Sequence, residues 1–173
     1  MPIDDLKKVI REVPDFPKPG ILFYDVTTLL RVPDALRQVI DSFAAEYSSR
    51  KIDLVIGMES RGFIFAAPVA YRIGAGFVPM RKPGKLPWKT RTATYDLEYG
   101  QDALEIHEDA ILPGQRVLVL DDVIATGGTA AATVKIARAM GAEVVAAAFL
   151  IELTFLKGRE KLNGTPLFSL LQY

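Results

Sequence analysis

Hydrophobic positions in the first part of the chain predict two helices separated by a turn. Apolar residues between Ile3 and Val13 recur at helical spacing, which predicts an amphipathic helix. Residues 14–20 (PDFPKPG) contain three prolines and a glycine, so they cannot continue a helix. Pro33 suits the first turn of a second helix, whose apolar residues fall on one face as far as Tyr47.

Four apolar runs in the rest of the chain predict buried strands. The runs are Asp53–Met58, Gly76–Arg81, Arg116–Asp121 and Ala142–Glu152. A helical pattern follows the first run at residues 63–73, and another follows the third run from about Thr129 to Met140. Strands buried on both faces that alternate with helices are typical of parallel sheets. We therefore predict an α/β fold, an open, mostly parallel twisted sheet with helices on both faces.

The segment from Lys82 to about Gly100 interrupts this alternation. It is basic, contains glycine and proline, and is long for an ordinary connection, so we predict an irregular lid over a binding site. No repeat, low-complexity tract or linker divides the chain. Its 173 residues are enough for one domain with a substantial core, so we expect a single domain over residues 1–173.

The composition argues against several classes of protein. Lys plus Arg number 21 and Asp plus Glu number 21, and this zero net charge disfavours broad binding to nucleic acid. The chain has no cysteine and one histidine, His107, which excludes disulfides and thiolate zinc sites and disfavours a Ser-His-Asp triad. The charged N-terminus does not resemble a signal peptide, and no apolar run approaches the roughly 20 residues of a membrane helix. We therefore expect a cytoplasmic protein without membrane contact.

Two adjacent aspartates, Asp121 and Asp122, end the third predicted strand, where open parallel sheets bind ligands. The loop at residues 125–129 (ATGGT) follows, and a predicted helix begins at its end. Its glycines let backbone N–H groups approach an anion, and the helix N-terminus adds partial positive charge. No lysine follows the glycines, so the loop differs from the triphosphate-binding P-loop. We interpret it as a site for a phosphate monoester.

Carboxylates beside a phosphate would repel it unless another group lies between them. A ribose ring fits this position, because its hydroxyls would donate to Asp121 and Asp122 while its 5′-phosphate lies in the loop. The carboxylates would also stabilise positive charge at the anomeric carbon when a glycosidic bond breaks. The stretch therefore predicts a ribose 5-phosphate site. The alternative is an ordinary strand-to-helix turn capped by Asp and Thr.

Several segments of the sequence resemble those of a known family. Residues 121–129 are similar to the phosphoribosyl-diphosphate motif of type I phosphoribosyltransferases, and residues 57–65 (GMESRGFIF) resemble their pyrophosphate loop. The N-terminal segment 14–30, the ends of the segment 82–100 and the C-terminal segments narrow the resemblance to adenine-specific members. The resemblance covers nearly the whole chain. It implies the family's fold, with a small hood at about residues 1–30 and a mobile β-loop lid at about residues 82–105.

The resemblance also implies an activity in purine salvage. The 5-phosphoribosyl group of 5-phosphoribosyl-1-diphosphate (PRPP) would be transferred to adenine, which gives AMP and pyrophosphate with Mg²⁺ as cofactor. We expect Mg²⁺ to bind mainly through substrate oxygens, with no direct protein ligand and with Asp121 and Asp122 acting at most through water. The resemblance further implies a homodimer.

Individual residues receive roles from the same resemblance. The residues expected to bind the 5′-phosphate and ribose are Asp121, Asp122, Ala125, Thr126, Gly127, Gly128 and Thr129. The residues expected to bind the diphosphate are Glu59, Ser60, Arg61, Arg81, Lys82 and Lys85. A cis peptide bond is expected between Glu59 and Ser60, and Arg81 is a candidate to act across the dimer interface. Adenine would lie against Leu22, Phe23 and Tyr24. The expected catalytic residues are Glu98, for proton transfer at adenine N7, together with Arg61 and Tyr99.

One position departs from the pattern, and two alternatives stay open. Many animal-type members carry Arg where this chain has Tyr24, so the polar contacts near the base are expected to differ. A sibling enzyme that uses guanine, hypoxanthine or xanthine would share the phosphate motif. A nucleotide-sensing regulator that binds nucleic acid would share the fold, but the zero net charge and Glu98 argue against it.

Overall fold

The N-terminal part of the chain forms a small antiparallel pair of strands flanked by helices. The structure is a computed structural model that describes residues 2–97 and 100–173. Its first elements are α1 (Ile3–Leu6), a 3-10 turn (Lys7–Val9), β1 (Arg11–Val13), β2 (Phe23–Asp25), α2 (Thr27–Leu30) and α3 (Pro33–Tyr47). Strands β1 and β2 pair antiparallel, with Val13 opposite Phe23.

The helix predicted from Ile3 to Val13 is wrong in its second half. Helical backbone ends with the 3-10 turn, and Arg11–Val13 forms β1 instead. The apolar spacing in so short a segment suits a helix and a short strand alike. Pairing with β2, which the local sequence does not specify, decides between them.

The remaining elements build the main sheet and a hairpin beside it. They are β3 (Leu54–Met58), α4 (Arg61–Ile73), β4 (Gly76–Met80), β5 (Thr90–Asp96), β6 (Gln101–His107), β7 (Arg116–Ile124), α5 (Gly128–Ala139), β8 (Glu143–Glu152), two 3-10 turns (Thr154–Leu156 and Gly158–Leu162) and β9 (Leu167–Gln172). Five strands pair in the order β4-β3-β7-β8-β9, and every neighbouring pair is parallel. The predicted open parallel sheet is confirmed, with β9 as a strand that the apolar pattern did not predict.

Successive side chains of the central strands enter two hydrophobic cores, one on each face of the sheet. Val55 and Leu118 face the core that contains α3 and α4. Their neighbours Ile56 and Val119 face the core that contains α5. Burial on both faces explains why these strands are continuously apolar in the sequence.

Strands β5 and β6 form a separate antiparallel hairpin, in which Thr90 lies opposite His107. Ala93 and Leu104 turn inward and join the core that contains α5. The segment predicted to be irregular from Lys82 to Gly100 therefore contains a strand. Its sequence, TRTATYD, is polar at every second position because one face is exposed, and the nearby prolines and glycine hide this alternation.

The order of the strands places a crevice between β3 and β7. From β3 the chain continues through α4 to β4 on one side, and from β7 it continues through α5 to β8 on the other side. Open α/β sheets bind ligands at such a reversal, outside the carboxyl ends of the strands. Residues 59–61 and 121–129 meet at this edge. In the described part of the chain, no helix is long and apolar enough to cross a membrane.

Candidate active site

A cavity of about 780 Å³ opens at the carboxyl ends of β3 and β7. It brings together residues that are far apart in the sequence. The predicted site residues that line it are Leu22, Phe23, Tyr24, Glu59, Ser60, Arg61, Lys82, Asp121, Asp122, Ala125, Thr126 and Thr129. The hood segment, the loop after β3 and the loop after β7 therefore share one cavity.

A smaller cavity of about 110 Å³ adjoins the large one at the loop after β7. Residues 123–130 line it, together with Asp121 and Phe149. Helix α5 begins at Gly128, so the first N–H groups of this helix face the loop without partners inside the helix. Gly127 has φ of +81°, a left-handed conformation that glycine adopts without strain. The small cavity has the size and the donors for one phosphate group.

Asp121 and Asp122 lie near the end of β7 with different surroundings. Asp122 is only 4% exposed, and its carboxylate accepts a hydrogen bond from Nε of Arg61. Oδ1 of Asp121 accepts a hydrogen bond from the backbone N–H of Asp122 at 2.8 Å. Burial and the neighbouring charge of Asp122 raise the pKa of Asp121 well above its usual range. The pair thus offers acceptor oxygens at the edge of the cavity, with Asp122 held by Arg61 and Asp121 held by a backbone N–H group.

Arg61 is the first residue of α4 and projects across the crevice toward β7. Burial alone would lower the pKa of its guanidinium, but the charge and hydrogen bond of Asp122, together with the charges of Asp121 and Asp25, outweigh burial and raise it. The side chain remains 42% exposed, so the guanidinium keeps N–H groups available to a ligand in the cavity.

Glu59 organises the basic segment that follows β4. Its carboxylate accepts hydrogen bonds from Arg81 Nη2 at 3.1 Å, from Lys85 Nζ at 2.8 Å and from the backbone N–H of Lys82 at 2.8 Å. Burial would raise the pKa of Glu59, but these donors outweigh it and lower the pKa to about 2. Arg81 and Lys85, both predicted to bind diphosphate, are therefore held by Glu59 and do not line the cavity. The Glu59–Ser60 peptide bond is cis, as expected.

Lys82 lines the cavity and is held by the hairpin. Its Nζ donates to Asp102 on β6 and to the hydroxyl of Tyr95 on β5, the latter at 3.2 Å. The Tyr95 hydroxyl in turn donates to Asp102 at 3.0 Å. Burial alone would lower the pKa of Lys82, but the hydrogen bond to Asp102 contributes to raising it. These three residues keep a charged ammonium at the wall of the cavity that Arg61 also lines.

Tyr24 connects the hood to the C-terminus of the chain. Its ring lies 4.1 Å from the ring of Tyr173, measured between centroids, at an angle of 39°. Burial raises the pKa of Tyr24, and the charge of Glu12 adds to this effect. At the position predicted to depart from the family pattern, this chain thus has an aromatic residue packed against Tyr173.

Several residues that line the cavity were missed by sequence reasoning. They are Gly20, Ile21, Tyr95, Leu104, Val123, Leu153, Phe155 and Leu156. The last three lie just after β8, and Phe155 is 68% exposed although it is aromatic. An apolar cluster in a turn next to a strand end was a signal that could have indicated a binding wall. Glu98 and Tyr99, which were predicted to be catalytic, lie outside the described residues.

The fold and the site together define the class of the molecule. The crevice with two aspartates and a phosphate-type loop is that of a phosphoribosyltransferase, and the family described as the phosphoribosyl transferase domain matches residues 25–164.

Similar proteins narrow the class further. An adenine phosphoribosyltransferase of Solibacter usitatus is 60% identical over 169 residues, which cover 98% of each chain. The crystal structure of adenine phosphoribosyltransferase from Thermoanaerobacter pseudethanolicus superposes with a TM-score of 0.97 at 50% identity, covering 99% of this chain and 100% of that one. The enzyme from Saccharomyces cerevisiae, solved with an imino-altritol bisphosphate and adenine, gives a TM-score of 0.93 at 43% identity and 97% coverage of each chain. The chain belongs to the adenine phosphoribosyltransferases of this family.

Proposed function

We propose that the chain transfers the 5-phosphoribosyl group of PRPP to adenine, forming AMP and releasing pyrophosphate. The observation that carries this proposal is the composition of one cavity wall. The wall passes from a phosphate-type loop, past two carboxylates and a set of cations, to an apolar surface formed by the hood. PRPP and adenine, aligned for reaction, present phosphate, ribose, diphosphate and planar base in a matching arrangement.

The 5′-phosphate is placed in the small cavity at residues 125–129. The first N–H groups of α5 and the hydroxyls of Thr126 and Thr129 are its proposed donors. Among the described residues that line this small cavity there is no lysine or arginine. Binding by neutral donors suits a dianionic monoester that stays bound throughout the reaction.

The ribose is placed against Asp121 and Asp122, which would accept hydrogen bonds from its 2′ and 3′ hydroxyls. During the reaction the bond from C1 to the diphosphate oxygen breaks and a bond from C1 to adenine N9 forms. Positive charge develops on the ribose at this stage, and the Asp122 carboxylate, which lines the cavity, is proposed to stabilise that charge.

The diphosphate is placed between Ser60, Arg61 and Lys82, which line the cavity. Cations at this point lower the barrier because the departing pyrophosphate carries several negative charges. Glu59 is proposed to hold Arg81 and Lys85 near the diphosphate position until the substrate binds, since its carboxylate bonds both side chains. A multiply charged diphosphate would compete with one carboxylate for these two cations.

Mg²⁺ is the proposed cofactor, and its fit can be judged from the available oxygen ligands. In residues 2–97 and 100–173 no group of three His, Cys, Asp or Glu side chains is placed to hold a metal ion. Mg²⁺ commonly binds through one or two carboxylates plus substrate phosphates and keeps several waters. Asp121 and Asp122 fit that arrangement and would contact the ion through water. When bound, Mg²⁺ would neutralise negative charge on the diphosphate.

Adenine is placed against Leu22, Phe23 and Tyr24 of the hood. Leu153 and Leu156, which line the same cavity, provide further apolar surface for a planar base. Proton transfer at adenine N7 is assigned to Glu98, with Tyr99 as its neighbour, on the resemblance of residues 94–100 (TYDLEYG) to the family's catalytic loop.

We treat residues 1–173 as one domain, in which about 1–30 form the hood and about 82–105 form a lid. Tyr95 and Lys82 of the lid line the cavity, so closure of the lid would exclude water that competes with adenine.

A homodimer is proposed because α4 and the edge strand β4 expose large apolar side chains, among them Tyr71 at 86% and Phe77 at 37%. The cytoplasm is the proposed compartment, since charged PRPP does not cross membranes freely.

Product formation tests the proposal directly. Purified protein is incubated with PRPP and Mg²⁺ and, in parallel, with adenine, hypoxanthine, guanine or orotate, and nucleotides are separated by chromatography. AMP from adenine alone is the expected result. Turnover of another base would retain the ribosyl site and overturn the placement of adenine at Leu22 and Phe23. Tight PRPP binding without turnover of any base would favour a regulator.

A further inference from the structure

A buried carboxylate outside the proposed catalytic set lies at the end of β8. Glu152 is 3% exposed, and its two oxygens accept hydrogen bonds from Nε and Nη2 of Arg159, both at 2.7 Å. Oε2 also accepts a hydrogen bond from the hydroxyl of Ser169 at 2.6 Å. The hydrogen bond from Arg159 is the largest of the effects that lower the pKa of Glu152. The carboxylate is therefore ionised and fully engaged at neutral pH.

The ion pair brackets a turn that forms part of the cavity wall. Leu153 and Leu156, between the two partners in the sequence, line the large cavity. The backbone of Leu153 donates to the carbonyl of Ile124 at 3.0 Å, so the turn is also attached to the end of β7. Holding Glu152 and Arg159 together therefore fixes the path of the chain between them.

The end of this turn contacts the phosphate loop, that is residues 125–129, which are proposed to bind the 5′-phosphate. A Cβ atom added to Gly158 would lie 2.9 Å from Cγ1 of Ile124 and 3.0 Å from the backbone nitrogen of Gly127. A Cβ atom added to Gly127 would lie 3.0 Å from Cα of Gly158. The two backbones are thus in direct contact at a point where neither residue can carry a side chain without movement. Any shift of Gly158 would be transmitted to the loop.

Stability alone does not account for this pair. Only Glu152 is buried, since the Arg159 side chain is 49% exposed, and an ion pair with one exposed partner contributes modestly to net stability. A bidentate guanidinium–carboxylate contact instead specifies geometry, since its two parallel hydrogen bonds fix both position and orientation.

We propose that Glu152 and Arg159 are positioning residues. Their ion pair holds Gly158 against the phosphate loop, residues 125–129, and so determines how tightly PRPP binds. Neither residue lines the large or the small cavity of the site. The inference rests on the proposed phosphoribosyl transfer, in which Gly127 and its neighbours bind the 5′-phosphate. It predicts that loosening the pair weakens PRPP binding much more than it slows the chemical step.

The variants that test this are Arg159→Lys and Glu152→Gln. Lysine keeps the charge but not the planar fork, and glutamine keeps the shape but not the charge. We expect KM for PRPP to rise about 10-fold to 100-fold in both variants, with a much smaller change in kcat. A small displacement of a binding group by a distant mutation can have an effect of this size. Glu143→Gln is the matched control, because Glu143 pairs with Arg116 at the opposite end of β8 and is 59% exposed.

The outcomes separate this inference from the proposed function. If the wild-type protein makes no AMP, the proposed function fails first. If the wild-type protein is active and both variants keep its KM for PRPP, the inference is overturned. A fall in kcat and in melting temperature without a change in KM would likewise overturn it, because that pattern indicates a purely structural pair. Should Arg159→Lys not fold, Glu152→Gln decides alone, since it retains acceptor and donor groups for Arg159 and Ser169.

Discussion

The guanidinium carbon of Arg61 lies 5.6 Å from the centre of the Phe23 ring, within the range of a cation–π contact. Phe23 begins β2 in the hood, and Arg61 begins α4 at the edge of the main sheet. The same guanidinium donates through Nε to Asp122. One side chain therefore links Phe23, proposed to contact the base, to Asp122, proposed to contact the ribose, so the hood and the sheet edge are positioned together.

Arg61→Lys is expected to lower kcat for AMP synthesis by about 10²-fold, as for loss of one positioned donor to a developing charge. Lysine retains the positive charge but cannot bond Asp122 and lie flat on Phe23 at once. Steady-state kinetics with PRPP and adenine measure the effect.

Arg72→Lys serves as the control for this substitution. Arg72 lies near the other end of the same helix and bonds Asp41 at 2.9 Å, away from the cavity. We expect wild-type kinetics in this variant. Wild-type kinetics in Arg61→Lys as well would remove Arg61 from the mechanism.

The low pKa of Glu59 predicts a pH-dependent contribution to stability. A carboxylate with an ordinary pKa of 4.5 that falls to about 2 on folding stabilises the folded state above the unfolded pKa by about 3 kcal/mol. This contribution is lost as the pH falls from about 4.5 toward 2. Glu59→Gln is therefore expected to be less stable than the wild type at pH 7, with less than half of that difference left at pH 3.

Urea unfolding of both proteins at pH 7, 5 and 3 measures this difference. Glu46→Gln is the control, because Glu46 near the end of α3 bonds Arg50, just beyond the helix, at 2.8 Å in a largely solvent-accessible pair. Exposed pairs of this kind contribute at most about 1 kcal/mol. A Glu59→Gln difference that is unchanged at pH 3 would contradict the proposed protonation of Glu59.

The sequence predicts the central strands well because burial on both faces makes them continuously apolar. Leu54–Met58 and Glu143–Glu152 were predicted almost to their ends for this reason. Arg11–Val13 was predicted as helix because its strand character comes from pairing with Phe23–Asp25, which lies beyond a proline-rich turn. Thr90–Asp96 was missed because only one of its faces is buried and few of its residues are apolar.

The candidate site was predicted in part for similar reasons. Asp121 and the loop after it could be predicted because a single segment carries both the carboxylates and the glycines. Leu153 and Leu156 were missed although they belong to an apolar cluster next to a strand end, since that cluster reaches the cavity only through the turn that Glu152 and Arg159 enclose. The pairing of Arg81 and Lys85 with Glu59 also depends on contacts between β3 and β4, which are distant in the sequence.

Glu98→Gln is expected to slow AMP synthesis by about 10²-fold or more without a loss of folding, the usual range for removing a general acid or base. Glutamine has nearly the same size but cannot exchange a proton with adenine N7. The control is Asp96→Asn, a nearby carboxylate that accepts a hydrogen bond from Gln101 at 3.0 Å. Near wild-type turnover in Glu98→Gln would exclude proton transfer by this residue.

Gly127→Ala is expected to destabilise the protein and to raise KM for PRPP. The left-handed backbone costs a non-glycine residue about 1–2 kcal/mol, and the added methyl group would also collide with Gly158. Gly114→Ala isolates the first effect, because Gly114 has φ of +88° and, among the described residues beyond its chain neighbours, none has an atom within 4 Å of an added Cβ. The free energy of unfolding should fall further in Gly127→Ala, and only this variant should change KM. Equal losses in both variants would contradict the contact with Gly158.

Tyr71→Glu is expected to shift the proposed homodimer toward monomers. Tyr71 and Ile64 are separated by two turns of α4, so they share one face of the helix, and β4 lies at the edge of the sheet beside it. A charge within a buried apolar interface is strongly unfavourable unless it is paired. Light scattering coupled to size-exclusion chromatography measures the mass of the wild-type and variant proteins over a dilution series. Leu112→Glu is the control, because Leu112 is 63% exposed but lies in the turn before β7, the central strand of the sheet, and not on α4 or the edge strand β4. A wild-type monomer, or a Tyr71→Glu dimer as stable as the Leu112→Glu dimer, would exclude this face as the interface.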